Sequence, residues 1–232
     1  MSDALSIFTE QLYETWLPEF CYAPHRNYST DGFVNESVSK LSEFDATWFL
    51  DAVKSGLVEE KDGFFTAPQS KAKEQIFWEG IKSKSPRPIT LWVEPVITIG
   101  ALARLNKEYG WPIERLGMQS KNWAFDMVGY DSDLEHEVLA CEVKKQIKEV
   151  DDLLHYMHHY SGLSPLDIEP ANAKECNAYR KVKGIRHSWP KVFWALGPDG
   201  YGKIFHVARK EDSYFFSLVL VDESALNHGS YL

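Results

Sequence analysis

Glu137-Val138-Leu139-Ala140-Cys141-Glu142-Val143-Lys144 is an apolar, β-prone run that ends in two charges. Side chains alternate along a strand, so Glu142 and Lys144 point to the same face. Charges on a mostly apolar strand cost free energy unless they are paired or bind an ion. The run therefore reads as a largely buried strand with a site at its end. Upstream, residues 123–130 form a second β-prone stretch, and Asp131-Ser132-Asp133-Leu134-Glu135 between the two is a polar turn. A hairpin centred near Asp133 sets Asp126 opposite Ala140 to Glu142. Two carboxylates distant in sequence then stand together, with Lys144 one step along the same face and Gln146 near its end.

Adjacent like charges repel and raise a pKa unless something positive lies between them. A hard divalent cation suits such a place, because Mg²⁺ takes one or two carboxylates plus water and phosphate oxygens. Such a metal, Mg²⁺ or Mn²⁺, makes a bound water more acidic and polarises a phosphoryl oxygen. Lys144 is then positioned to orient or deprotonate the attacking water, or to neutralise charge developing on the phosphate.

Around this hairpin the element order is regular. Glu94-Pro95 opens a helix that runs to about Tyr109, with Pro95 suited to its first turn. Residues 113–118 read as a first strand, 123–130 as a second and 136–145 as a third. A helix over 147–160 follows, then a connection with its own helix at 170–183. Lys191 to Leu196 reads as a buried strand, with further strands at 203–208 and 214–221.

At these residues the chain resembles the PD-(D/E)xK nuclease superfamily, whose pattern is an acid on one strand and acid-x-Lys on the next. Asp126 and Glu142-Val143-Lys144 match it, with Phe125 where many members have proline. The family core runs helix, strand, strand, strand, helix, strand, as residues 94–197 do. Many members add a glutamate on the first core helix, where Glu94 stands, and some a Gln after the motif, where Gln146 stands. The resemblance implies an α/β fold: a restriction-endonuclease-like core with a mixed central sheet flanked by helices. It further implies metal ligation by Asp126, Glu142 and Glu94, and a catalytic set completed by Lys144 and Gln146. Taken alone, Glu94 reads as a charge favoured by its helix dipole, and Glu142–Lys144 as a simple ion pair.

The N-terminal region reads differently. Apolar residues recur at helical spacing over 4–17, and two short helices are expected at 34–43 and 45–56, with Asp45 as an N-cap and Gly56 after the last turn. Leu57 to Thr66 is a hairpin around Asp62-Gly63. Two helices followed by a hairpin resemble a winged-helix module, although the 45–56 helix has only Lys54 against Asp45 and Asp51. A helical cap on the main domain is the plainer reading. A helix is also expected over 69–83, and Ser85-Pro86-Arg87-Pro88 reads as a linker, giving an N-terminal region 1–88 and a nuclease-like domain 89–232.

Composition narrows the function classes. The 232 residues are 44% hydrophobic and include eight Trp, which excludes a disordered chain. A net charge of −9 speaks against a nonspecific nucleic-acid binder. Yet the charge is uneven, and Arg180, Lys181, Lys183 and Arg186 form a basic run that is either a solvated helix face or a phosphate-contacting patch. Cys21, Cys141 and Cys176 are scattered, which suits a reducing compartment and no zinc knuckle. With no basic-apolar leader and no membrane-length run, the expected location is the cytoplasm. His155 and His159 have zinc-chelating spacing, but without HExxH or an obvious third ligand they read as part of a helix covering the sheet.

The expected function is Mg²⁺-dependent hydrolysis of DNA, endo- or exonucleolytic, with a second copy or a partner protein open as further partners. The alternative is a catalytically silent protein of the same fold that acts as an interaction or regulatory partner.

Overall fold

Local capping and turn chemistry set the first elements. The computed structural model describes residues 3–210 and 213–231. Asp3 caps helix α1 (Ala4–Gln11) by accepting from the Ser6 N–H at 2.7 Å. The chain continues through a π-helical turn at Leu12–Trp16 into α2 (Leu17–Tyr22). A 3₁₀ turn at Asn35–Lys40 stands where the first short helix was expected, and α3 (Glu43–Lys54) follows. Ser42 rather than Asp45 caps α3, its hydroxyl accepting from the Asp45 N–H at 3.0 Å. Strands β1 (Glu59–Lys61) and β2 (Phe64–Thr66) meet at Asp62-Gly63, both at positive φ (56° and 75°), as a tight hairpin turn requires.

The helix expected over 69–83 is not formed. The stretch holds β3 (Glu74–Gln75), paired with β2, and β4 (Phe77–Glu79), paired with β5 (Ile89–Leu91). Its backbone donors are used laterally: the Gln69 N–H donates to Leu116 O at 3.1 Å and the Lys71 N–H to Met118 O at 2.9 Å. Ser85-Pro86-Arg87-Pro88, expected as a linker, is instead part of the loop joining β4 to β5.

Helix α4 (Val93–Lys107) is buried on nearly every face from Val93 to Leu105, as expected of a helix packed on both sides. It lies against α3, and a Cβ on Gly100 would stand 3.1 Å from Trp48 Cβ and 3.2 Å from Phe49 N, so the small residue permits this approach. After it come β6 (Leu116–Met118), β7 (Met127–Tyr130), β8 (Glu137–Val143), α5 (Ile147–Ser161), α6 (Ala173–Ser188), β9 (Val192–Leu196), β10 (Gly202–Arg209) and β11 (Phe216–Val221).

The last six strands form one mixed sheet in the order β11-β10-β9-β8-β7-β6, with β8 and β9 parallel and the other pairs antiparallel. Alternation divides its side chains between two cores. Leu139, Cys141 and Val143 of β8, with Val192, Trp194 and Leu196 of β9, join α4 and the N-terminal aromatics Phe8, Phe49, Phe65 and Phe77. Ala140, Phe193 and Ala195 face the other way, onto Val150, Leu153 and Met157 of α5 and Val182 and Ile185 of α6. The first core runs across the expected boundary at residue 88, with Ile76 and Phe77 on one side and Ile89 and Leu91 on the other. No helix among the described residues is long and apolar enough to cross a membrane.

Candidate active site

The β7–β8 hairpin brings the paired carboxylates together. Met127 stands opposite Cys141, and the Asp126 N–H donates to Cys141 O at 3.0 Å, so the pairing reaches Asp126. Asp126 Oδ2 accepts from the Val143 N–H at 2.8 Å, which carries its carboxylate across β8. Glu142 is 2% exposed and lies on the side of the sheet covered by α5 and α6, in register with Ala140. Lys144 follows the end of β8, still held by its N–H donating to Leu196 O at 2.9 Å, and its Nζ donates to Glu142 Oε1 at 2.5 Å.

A fourth side chain belongs here. Lys181, on the inner face of α6, places Nζ 2.6 Å from Glu142 Oε2 and donates to the Ala124 carbonyl. The contact with Oε2 is an ion pair without the direction of a hydrogen bond. In the sequence Lys181 reads as one of a solvated or phosphate-facing basic run, and its burial corrects that. The legible signal was its spacing: Ala178, Lys181, Val182 and Ile185 share one buried helical stripe.

Burial shapes the electrostatics. Asp126 is pushed up to about 8 by burial first and by the Glu142 charge second, with the two lysines opposing. Burial acts to raise Glu142 too, but Lys181 and Lys144 outweigh it and hold the carboxyl below its ordinary value. Burial favours loss of the Lys144 proton, yet Glu142 and then Asp126 overcome this and raise its pKa. Lys144 is therefore an ammonium at neutral pH, able to stabilise negative charge and unable to take a proton.

Glu94 occupies the first turn of α4, where Oε2 accepts from Trp92 Nε1 at 3.0 Å. Its charge reaches Lys144, and with Lys144 it lines a depression of about 290 Å³ that also borders Glu149, Asp152, Lys174 and Asn177. Glu94, Asp126 and Glu142 do not close into a three-acid cluster. Among the described residues, the one group of three whose ligand atoms all lie within 4.8 Å of one another is Asp131, Asp133 and His136. That group is the β7–β8 turn, where Asp131 Oδ1 accepts from the His136 N–H at 3.1 Å and Oδ2 meets His136 Nδ1 at 2.9 Å. The interactions account for it as turn structure.

Gln146 lies outside the carboxylate group, exposed at the N-cap of α5, and lines a neighbouring groove with Glu94. Of the other expected phosphate contacts, Arg180 and Lys183 are exposed and share Glu169, at 2.9 and 3.1 Å. Arg186 donates to the carbonyls of Tyr160, Leu163 and Tyr214, joining segments of the chain. His155, His158 and His159 lie on the exposed face of α5, while Leu153, Leu154 and Met157 cover the sheet.

The donor set suits a hard cation: two buried carboxylates side by side, one of them kept from ionising at neutral pH by burial and by the charge of the other. Lys144 and Lys181 are the charges already present. The chain matches no family model, and no curated protein or solved structure matches it.

Proposed function

We propose that the protein is a metal-dependent nuclease that hydrolyses phosphodiester bonds in DNA, built on a restriction-endonuclease-like core. The observation that carries this reading is the buried group Asp126, Glu142 and Lys144 at the end of one hairpin, with Glu142 and Lys144 2.5 Å apart. Asp126 and Glu142 would hold Mg²⁺ or Mn²⁺, and Glu94 borders the approach to them. Such a cation supplies a more acidic water and neutralises charge on the phosphoryl oxygens.

The chain's own groups do the rest. Lys144, kept charged by Glu142, faces the open depression and stabilises the negative charge that accumulates on phosphorus oxygens as water attacks and the P–O bond breaks. Asp126 accepts the Val143 N–H, which orients its carboxylate relative to Glu142.

The test is incubation of the purified protein with single- and double-stranded DNA in Mg²⁺ or Mn²⁺, against EDTA and Glu142→Ala. Cleavage is expected with metal and a loss of more than about a hundredfold in the variant, in line with loss of a carboxylate that would hold the charge-stabilising metal. Wild-type protein that cuts neither DNA nor RNA, or a variant that cuts equally well, rejects the reading.

One observation favours a second reading, a catalytically silent protein that acts as an interaction or regulatory partner. Lys144 and Lys181 already neutralise Glu142, and Asp126 beside it is protonated at neutral pH, so the group holds no unbalanced negative charge that calls for a cation. This reading expects no rise in melting temperature with Mn²⁺, whereas the nuclease reading expects a rise that Asp126→Asn removes.

A further inference from the structure

We propose that the groove beside Glu94 binds an unpaired nucleobase of a single-stranded nucleic acid, stacked on Trp78. The class of ligand rests on the nuclease reading; the geometry of the groove does not. Strand β4 alternates sharply: Phe77 is fully buried, and Trp78, next along, is 56% exposed. The exposed ring has a rigid support. Trp78 pairs with Thr90 across the β4–β5 hairpin, and its indole meets Trp92 edge to face, with centroids 5.5 Å apart and planes at 81°. Trp92 in turn donates from Nε1 to Glu94 Oε2 at 3.0 Å. An indole face open to solvent is thus tied through two contacts to a carboxylate of the candidate active site.

The groove measures about 740 Å³ and is lined by both tryptophans, Glu94, Lys40, Lys145 and Gln146. Lys40 and Lys145 are exposed and have no ion-pair or hydrogen-bond partner among the described residues. Glu36 also lines the groove, so Glu36 and Glu94 offset the two lysines in net charge, and Lys40 and Lys145 are the lining cations able to contact phosphate. That distribution fits a base on the aromatic ring and a backbone against the lysines. Single-strand binders combine these same parts, aromatic faces for bases and cations for the chain. Gln146, exposed, offers an amide to a base edge. Glu94 belongs both to this groove and to the 290 Å³ depression that holds Lys144. A strand stacked on Trp78 therefore leads past Glu94 to the ammonium. A paired base in a duplex has its faces covered and must first be unstacked.

The experiment measures binding in EDTA, where no metal-dependent cutting occurs. A short labelled oligonucleotide carrying 2-aminopurine is titrated with protein, as a single strand, as a duplex, and as a single strand with an abasic site in place of the fluorescent base. Single strand should bind more tightly than duplex, with quenching of the 2-aminopurine, and the abasic strand should bind more weakly. Trp78→Ala should weaken single-strand binding by roughly 5- to 150-fold, the range of base–aromatic stacking. Trp78→Phe should restore most of it, and both variants should melt like the wild type because the ring is exposed. Equal binding by Trp78→Ala, or a duplex or abasic strand that binds as tightly as the intact single strand, overturns the inference whatever the cleavage assay gives. So does absence of any oligonucleotide binding, which would leave the aromatic pair to a protein partner. Stacking with no cleavage in Mg²⁺ upholds the groove and rejects the nuclease reading alone.

Discussion

Glu142 meets two ammonium groups, Lys144 at 2.5 Å and Lys181 at 2.6 Å, while Asp126 beside it stays protonated until about pH 8. A carboxyl whose folded pKa lies above its unfolded value, near 3.9, binds a proton more readily when folded. Its stabilising contribution is complete at acid pH and is lost as pH rises through about 8. Calorimetry in EDTA should therefore show the melting temperature falling between pH 5 and 8 and levelling above about 8, and Asp126→Asn should flatten that fall. A wild-type profile already flat over this range would contradict the assignment. Lys181 leads to a second expectation. It supplies positive charge where a divalent cation would otherwise supply it, so Lys181→Met should tighten Mn²⁺ binding, by about tenfold if some 1.4 kcal/mol of repulsion is removed. Titration calorimetry of the folded variant checks this, and an unchanged or weaker affinity argues against a counter-ion role. The charged pair Glu142 and Lys144 was legible from alternation alone. Lys181 was not, because its neighbours Arg180, Lys183 and Arg186 give the segment a basic, solvated look, and only its place in an apolar stripe sets it apart.

At the scale of elements, the position of Lys181 depends on how closely α6 crosses the segment before β7. A Cβ on Gly184 would stand 2.5 Å from Ala124 Cβ and 3.1 Å from the Phe125 ring. The missing side chain lets the helix descend until Lys181 reaches the Ala124 carbonyl and Glu142. Gly184→Ala should therefore destabilise the protein by about 1–3 kcal/mol, the usual cost of overpacking, despite its better helix propensity. Chemical denaturation measures it; a stabilised variant would show that the helix can lift without penalty. The same packing logic explains an element misread from the sequence. Residues 69–83 contain enough apolar and charged residues to suggest a helix, but Gln69 and Lys71 donate to the β6 carbonyls of Leu116 and Met118. Those partners lie over forty residues downstream, and local periodicity cannot report them.

Across the whole molecule, residues 1–88 complete the core on one face of the sheet. Phe8, Phe49, Phe65 and Phe77, all fully buried, pack in the same core as α4 and β8. Arg104 of α4 joins the two sides as well, with its guanidinium 5.2 Å from the Phe44 ring centroid and 5.3 Å from that of Trp194. Asp45, at the start of α3, accepts from the Asp199 N–H at 2.9 Å in the β9–β10 turn. Residues 89–232 made alone would expose this apolar face, so they should lack a cooperative melt and near-ultraviolet circular dichroism. A cooperative transition like that of the full chain would show that the second region folds independently. The expectation of a boundary at 88 came from proline punctuation, which marks a turn equally well whether it joins domains or strands.

What the sequence determined by itself is local and periodic. Alternation placed Glu142 and Lys144 on one face, the polar turn at Asp131–Glu135 set the register that brings Asp126 to them, and Asp62-Gly63 made a hairpin. These depend on neighbours a few residues apart or on one hairpin, where the pattern of side chains and the backbone geometry coincide. Tertiary structure decided the rest: Lys181 buried against Glu142, Glu94 held by Trp92 beside Lys144 and outside a three-acid cluster, and the N-terminal aromatics under α4. Each of these follows from which surfaces pack together, and packing depends on shape and charge brought close by the entire chain.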